Sequence, residues 1–305
     1  MAADGQQDQD MTPQSPLLTT LAKATRPLVM GVVNVTPDSF FDGGQFVSCD
    51  KAVAHGLGLI AVGADCLDIG GESTRPGAAP VPVHEELART IDVIAGLRAA
   101  TTSTLSIDTR KPEVARAAIA AGADVWNDVS ALTFDPQSPA VAAELGVPVI
   151  LMHAKGPPET MQSAPHYRDV VGEVLNFLVS RIGQAVAAGI RLDNILVDPG
   201  IGFGKTLAHN LALMQQLDRI AALGRPLVFG ASRKSFIGKI DGSVDAGGRL
   251  GGSLAAALWA ADKGARLLRV HDVAQTVQAL KVRDALLGDI SLDAPPILSD
   301  PSGKP

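Results

Sequence analysis

The chain has 305 residues, 46% hydrophobic and 19% charged, enough to bury a large core as one large domain or two small ones. Lys and Arg number 26 against 32 Asp and Glu, so the formal charge is −6, and no block of like charge stands out. That balance argues against a nucleic-acid or membrane surface, although local cations can still hold an anionic small molecule.

The opening "MAADGQQDQDMTPQSP" is polar and acidic and lacks the basic and apolar regions of a secretory signal. Residues 1–25 read as a disordered leader, and with no apolar run of transmembrane length the expected location is the cytoplasm. From 26 to 289, short β-branched runs alternate with Ala/Leu-rich segments of helical period. Strands are predicted at 28–33, 66–69, 104–107, 125–126, 147–151, 195–197, 226–229 and 266–270. The helices between and after them fall near 51–63, 83–99, 112–121, 138–145, 168–188, 207–222, 249–263 and 272–287. Eight such units in about 265 residues match a (β/α)8 TIM barrel, an α/β fold. A doubly wound sheet would carry a Gly-rich dinucleotide turn after its first strand, and here that strand runs into "NVTPDSFFDGGQF" instead. No linker interrupts the middle, so the prediction is a single domain, followed by a loose tail over 290–305. The two cysteines, Cys49 and Cys66, are too few for a disulfide framework, lack a zinc spacing and read as reduced thiols.

In such a barrel the C-terminal ends of the strands form the active face. Those ends are Asn34, Gly70-Gly71-Glu72, Asp108, Asn127-Asp128, Met152-His153, Asp198, Gly230 with Ser232-Arg233-Lys234, and Arg269 with His271. One aspartate such as Asp108 in "SIDTRK" is explained as a helix cap; a ring of polar ends is not. The loops after strands 1 and 2, "NVTPDSFFDGGQFVSCD" and "GGESTRPGAAPVP", are long and rich in Gly and Pro, as functional lids are. "DPGIGFGKT" is not a phosphate loop, because Pro199 stands where that pattern needs Gly. Asp108, Asn127 and Asp198 suit a flat heterocycle with a donor-rich amino-pyrimidinone edge, and Lys234 and Arg269 suit its acceptors. Asn34, Thr74, Arg75 and His271 form a second set suited to phosphate oxygens, with Asn34 a candidate oxygen ligand for Mg²⁺. His55, His84, His166 and His209 lie on or beside helices and read as surface residues.

The segments "MGVVNVTPDSFFDGG", "DIGGESTRPGA", "SIDTRKP", "WNDVSA", "VILMHAKGPPETMQ", "ILVDPGIGFGK", "FGASRKSFIG" and "RVHDV", in this order from about 28 to 285, resemble the dihydropteroate synthases of folate biosynthesis. The resemblance implies a TIM barrel that joins 4-aminobenzoate to 6-hydroxymethyl-7,8-dihydropterin diphosphate, giving 7,8-dihydropteroate and pyrophosphate. It implies a pterin pocket of Asp108, Asn127, Met152, Asp198, Phe203, Lys234 and Arg269. Asn34, Thr74, Arg75, Arg269 and His271 would meet the diphosphate with Mg²⁺, and Phe40, Thr74, Pro76, Lys234 and Ser235 the aminobenzoate. Catalysis would draw on Arg269 and His271 at the leaving group and on Asp42 and Asp108 near a cationic methylene, with no covalent enzyme intermediate. The family also implies a homodimer and a sulfonamide target. Two departures stand out: Phe41 gives "SFFDGG" where the family has "SFSDGG", and "HAKG" at 153–156 replaces "HMRG". A methyltetrahydrofolate methyltransferase working with a corrinoid protein would share the pterin carboxylates without needing the anion set, and a non-catalytic pterin-binding paralogue would have lost that set.

Overall fold

The computed structural model describes residues 15–36, 45–75, 77–242 and 245–288. Eight parallel strands close into a barrel in sequence order. They are β1 (Leu28–Asn34), β2 (Cys66–Gly70), β3 (Thr104–Asp108), β4 (Val125–Asp128), β5 (Val149–Met152), β6 (Ile195–Asp198), β7 (Leu227–Phe229) and β8 (Ala265–Val270). Eleven helices accompany them among the described residues: α1 (Pro16–Lys23), α2 (Gln45–Ala61), α3 (Val83–Ala100), α4 (Pro112–Ala120), α5 (Ser138–Leu145), α6 (Val170–Ala187), α7 (Leu207–Gln215), α8 (Leu217–Ala221), α9 (Ser235–Asp241), α10 (Leu250–Asp262) and α11 (Val273–Leu287).

The alternation of strand side chains sorts the core into two bodies. Val29, Val33, Leu67, Ile69, Leu105, Ile107, Trp126, Leu151, Val197, Phe229 and Leu268 face outward into the helix layer. Residues of the other parity, Leu28, Met30, Cys66, Val125, Ile150, Leu196, Val228 and Leu267, fill the lower barrel. Two residues further along the same inward rows stand Asp68, Asn127, Met152, Asp198 and Arg269, with Asp108 on the inward row of β3. The polar site is thus the next inward layer above an apolar plug. Burial pushes the Cys66 thiol well above its usual pKa, and it is inert packing.

Three features differ from the sequence expectation. Residues 16–23 of the expected leader form α1, whose Leu17, Leu18 and Leu21 are buried against the lower barrel residues. Their burial supplies the stability that an eight-residue helix lacks alone. Arg266 fixes this helix by donating to the carbonyls of Leu21 and Ala24, at 2.6 and 2.9 Å. The predicted 207–222 helix breaks at Gln216, which leaves helical geometry at φ −116° and ψ 29°. The unpredicted α9 is held by buried Phe236 and Ile237, and Ile237 packs where only the glycine of Gly252 leaves room. Elsewhere the predicted elements hold, with α2 beginning at Gln45 rather than 51. By length and hydropathy α6 could cross a membrane. In the fold it lies against the barrel, its Arg181 buried and donating to the carbonyls of Ala131 and Leu132 at 2.8 and 3.2 Å.

Candidate active site

At the mouth of the barrel, Arg269 of β8 lies between two carboxylates. Its Nε donates to Asp68 Oδ2 at 2.6 Å and its Nη2 to Asp108 Oδ2 at 2.8 Å. Asn127 donates from Nδ2 to the same Asp68 oxygen at 3.1 Å. Three neighbouring strands and β8 therefore converge on one ionic cluster. Burial opposes the charge of Arg269, but Asp68 and Asp108 more than offset it and hold the guanidinium above its ordinary pKa. Burial raises the Asp108 carboxyl, Asp68 adds to the rise, and Arg269 works against it. Asp68 Oδ1, Asp108 Oδ1 and Ser106 Oγ are buried with no hydrogen-bond partner among the described residues, so acceptor capacity is left for a donor-rich ligand.

Across the mouth, Asp198 ends β6 and accepts the Gly200 N–H on Oδ1 at 2.6 Å. Burial raises its pKa, and Lys234 and that N–H bond lower it in part. Lys234, which precedes α9, donates to the Ile201 carbonyl and lies 4.6 Å above the Phe203 ring. Burial brings its pKa down to about 8, while Asp198 favours its charge. Met152 is buried at the end of β5. His271 follows β8, its Nδ1 3.1 Å from Ser232 Oγ, which also accepts the His271 backbone N–H at 3.2 Å. Burial and the cations Arg269, Arg233 and Arg75 bring its pKa down to about 4, so the ring is neutral at neutral pH. Asn34 ends β1 beside Gly70, Thr74 and Arg75 lie on the loop after β2, and Ser235 opens α9 on the surface. The candidate residues Phe40, Asp42 and Pro76, and the departure at Phe41, lie outside the described residues.

Several residues that shape the site are not strand ends. Asp68 carries no signal in a reading of strand ends; its inward parity, two residues before Gly70, is the cue that finds it. Glu72 ties the second loop to the third: Oε1 accepts Val81 N–H at 2.9 Å, and Oε2 meets Arg110 and Lys111, each at 3.1 Å. Lys111 also pairs with buried Glu86. The basic pair in "SIDTRK" therefore faces a buried ionic brace while Asp108 of the same stretch faces the pocket. Lys205, the lysine of "GKT", is buried with Nζ 2.9 Å from His153 Nδ1, 2.8 Å from the Gly200 carbonyl and 3.0 Å from the Phe203 carbonyl. Burial first, and then the Lys205 charge, bring the His153 pKa down to about 3, so the neutral ring accepts on Nδ1. This settles "HAKG": His153 anchors the loop after β6. Lys155 lies 4.0 Å above the Tyr167 ring and donates to the His166 carbonyl at 2.5 Å, outside the pocket. His209 is exposed in part but has a structural role, completing a capping box with Thr206 at the start of α7.

The model of the pterin binding enzymes matches residues 30–271. The dihydropteroate synthase of Escherichia coli K12 is 47% identical over 263 residues, covering 86% of this chain and 93% of that protein. The dihydropteroate synthase of Xanthomonas albilineans, solved with 4-aminobenzoic acid, superposes with a TM-score of 0.82 at 56% identity, covering 86% of this chain and 94% of that one. The same enzyme in complex with 7,8-dihydropteroate gives a TM-score of 0.79 at 53% identity, with the same coverage of both chains. Closed barrel, inward polar layer and these likenesses agree: the chain belongs to the dihydropteroate synthase family, within the pterin binding enzymes.

Proposed function

We propose that this transferase condenses 4-aminobenzoate with 6-hydroxymethyl-7,8-dihydropterin diphosphate at the mouth of the barrel, and that the residues converging there divide the work as follows. The observation that carries the assignment of roles is the convergence of buried Asp108, Asn127 and Asp198 with half-buried Lys234 and Arg269, where Asp108 Oδ1 and the neighbouring Asp68 Oδ1 keep unused acceptor capacity. Asp108, Asn127 and Asp198 take the donor edge of the pterin, and the N–H bonds it gives lower the carboxylate pKa values that burial has raised. Lys234 and Arg269 meet ring acceptors, with Met152 and Phe203 as apolar neighbours.

Arg269, Arg75, Thr74 and His271 receive the diphosphate. The Ser232 hydroxyl can donate to His271 Nδ1 because its oxygen already accepts the His271 backbone N–H, which leaves Nε2–H as a neutral donor to a phosphate oxygen. The C–O bond to the diphosphate breaks, its electron pair leaves with the phosphate oxygen, and these cations and donors hold the charge that develops. The methylene cation is conjugated with the pterin, and Asp108 and, by the family resemblance, Asp42 supply the negative charge that favours it. The aminobenzoate amine then forms the C–N bond and loses a proton. By the family resemblance Phe40, Pro76, Thr74, Lys234 and Ser235 hold the aminobenzoate, which makes the site one for sulfonamide mimics.

Among the described residues no group of three or more His, Cys, Asp or Glu could hold a metal. What fits is Mg²⁺ carried on the diphosphate, with Asn34 as one oxygen donor; such an ion neutralises phosphate charge when bound. From the family resemblance we also propose a homodimer in the cytoplasm, which sedimentation and fractionation test.

The deciding assay measures pyrophosphate release from the purified protein with Mg²⁺ and the dihydropterin diphosphate, with and without 4-aminobenzoate, against Arg269→Ala. Release coupled to dihydropteroate formation and lost in the variant supports the roles given; binding without release would leave a pterin-binding paralogue.

A further inference from the structure

We propose that Asp68, buried in the middle of the site layer, is a positioning residue that acts through Arg269 and makes the pterin end and the diphosphate end of the pocket a single unit. The inference rests on the transferase reading above.

A single oxygen, Asp68 Oδ2, accepts from Arg269 Nε at 2.6 Å and from Asn127 Nδ2 at 3.1 Å. Asp68 is fully buried, so neither bond is shared with water. With Nε fixed by Asp68 and Nη2 by Asp108, two edges of the planar guanidinium are held and its rotation about Cδ–Nε is blocked. Among the described residues Nη1 has no acceptor, and it is the remaining edge for a ligand oxygen. Asn127 is turned by the same oxygen: its Nδ2 is committed to Asp68, so its Oδ1 is presented to the pterin as an acceptor. Asp108 alone could not do this: it stands beside Asn127 in the sheet, but among the described residues its side chain makes no hydrogen bond to the Asn127 amide and holds Arg269 through Nη2 only.

The negative charge of Asp68 also bears on Asp108. The groups facing Asp108 are Arg269 from β8, Asp68 from β2, Glu86 from α3, Asp128 from β4 and Lys234 ahead of α9. Asp68 is the largest of the acidic contributions that raise it. Removing that charge, and freeing Arg269 to pair with Asp108 alone, both move the Asp108 pKa down.

The test is kcat/KM for the dihydropterin diphosphate in wild type, Asp68→Asn, Arg269→Gln and the double variant, each across pH 5 to 9 (an assay range on the order of the carboxylate and histidine values). Loss of a charge-assisted hydrogen bond lowers kcat/KM in Asp68→Asn on the order of tenfold to a hundredfold, with the KM for aminobenzoate unchanged. The acid limb of the profile moves to lower pH relative to wild type; substrate titration is common to both and cancels, and a general loss of packing would lower the rate without moving the limb. The amide oxygen of Asp68→Asn can still accept from Asn127 Nδ2, so what the variant loses acts through Arg269, and the double variant is no slower than Arg269→Gln alone. If the two losses multiply, or the acid limb stays in place, the inference is overturned. Should Asp68→Asn not fold, the double variant, in which both charges are gone, still allows the decisive comparison with Arg269→Gln. A wild type that releases no pyrophosphate would instead overturn the transferase reading.

Discussion

Gly200→Ala puts one methyl group where the loop after β6 lies against the loop after β5. Gly200 has φ +65°, and a Cβ there would stand 1.9 Å from the His153 carbonyl oxygen, which is backbone and cannot swing aside. A carbon to oxygen contact needs about 3 Å, so the loop must retreat by about 1 Å. The left-handed conformation costs a non-glycine residue roughly 1–2 kcal/mol. The retreat also stretches the bond from the Gly200 N–H to Asp198, a charge-assisted contact worth roughly 1.5–3 kcal/mol. Together these lower stability by roughly 3 kcal/mol and Tm by roughly 6–12 °C in a domain of this size. The same loop carries the Ile201 carbonyl that orients Lys234 and the Phe203 ring beneath it, so the pterin pocket moves with it. A displacement of about 1 Å at a reacting site costs on the order of a hundredfold in kcat/KM. The assay pairs differential scanning fluorimetry with steady-state kinetics at varied pterin diphosphate. A variant that melts and turns over like wild type would falsify this account of the loop.

Lys205→Met leaves the Gly200 and Phe203 carbonyls and His153 Nδ1 without their donor, and is expected to lower stability by about 2–4 kcal/mol and raise the pterin diphosphate KM about tenfold. Chemical denaturation and initial rates measure both; full activity at wild-type stability would show that the lysine is dispensable. His271 has its pKa depressed on folding from 6.5 to about 4, so its contribution to stability is complete above about 6.5 and is lost as pH falls toward 4. Urea melts at pH 7 and pH 4 should therefore show the advantage of wild type over His271→Gln shrinking by at most about 3 kcal/mol, and a constant gap would contradict the depressed value. Leu17→Ala, at 1% exposure in the barrel plug, is expected to cost roughly 3 kcal/mol while leaving both KM values unchanged; a changed KM would mean that the plug and the site are coupled.

The strands were legible because their β-branched runs are short and evenly spaced, and the polar ends were legible because polar side chains rarely end buried strands without a purpose. Asp108, Asn127, Asp198, Lys234 and Arg269 all meet at the barrel mouth. Asp68 escaped that reading because it sits inside a strand, where only the inward parity distinguishes it from a salt bridge of the helix layer. Lys205 escaped because its partners are carbonyls and a histidine, and carbonyls leave no trace in sequence. The helix at 16–23 escaped because eight residues with three leucines do not make a stable helix by themselves; the plug they cover is assembled from strands up to 250 residues away.

That helix also constrains the order of assembly. Arg266 reaches the carbonyl of Leu21 across 245 positions of sequence, so α1, which precedes all eight barrel strands, completes its bonds only after β8 has been made. Until then its three leucines and the underside of the growing sheet remain open to water and to other chains. Seating it covers the apolar plug from below, and closing so long a loop makes it late. Slow translation or a blocked N-terminus would prolong the interval in which this chain can associate wrongly.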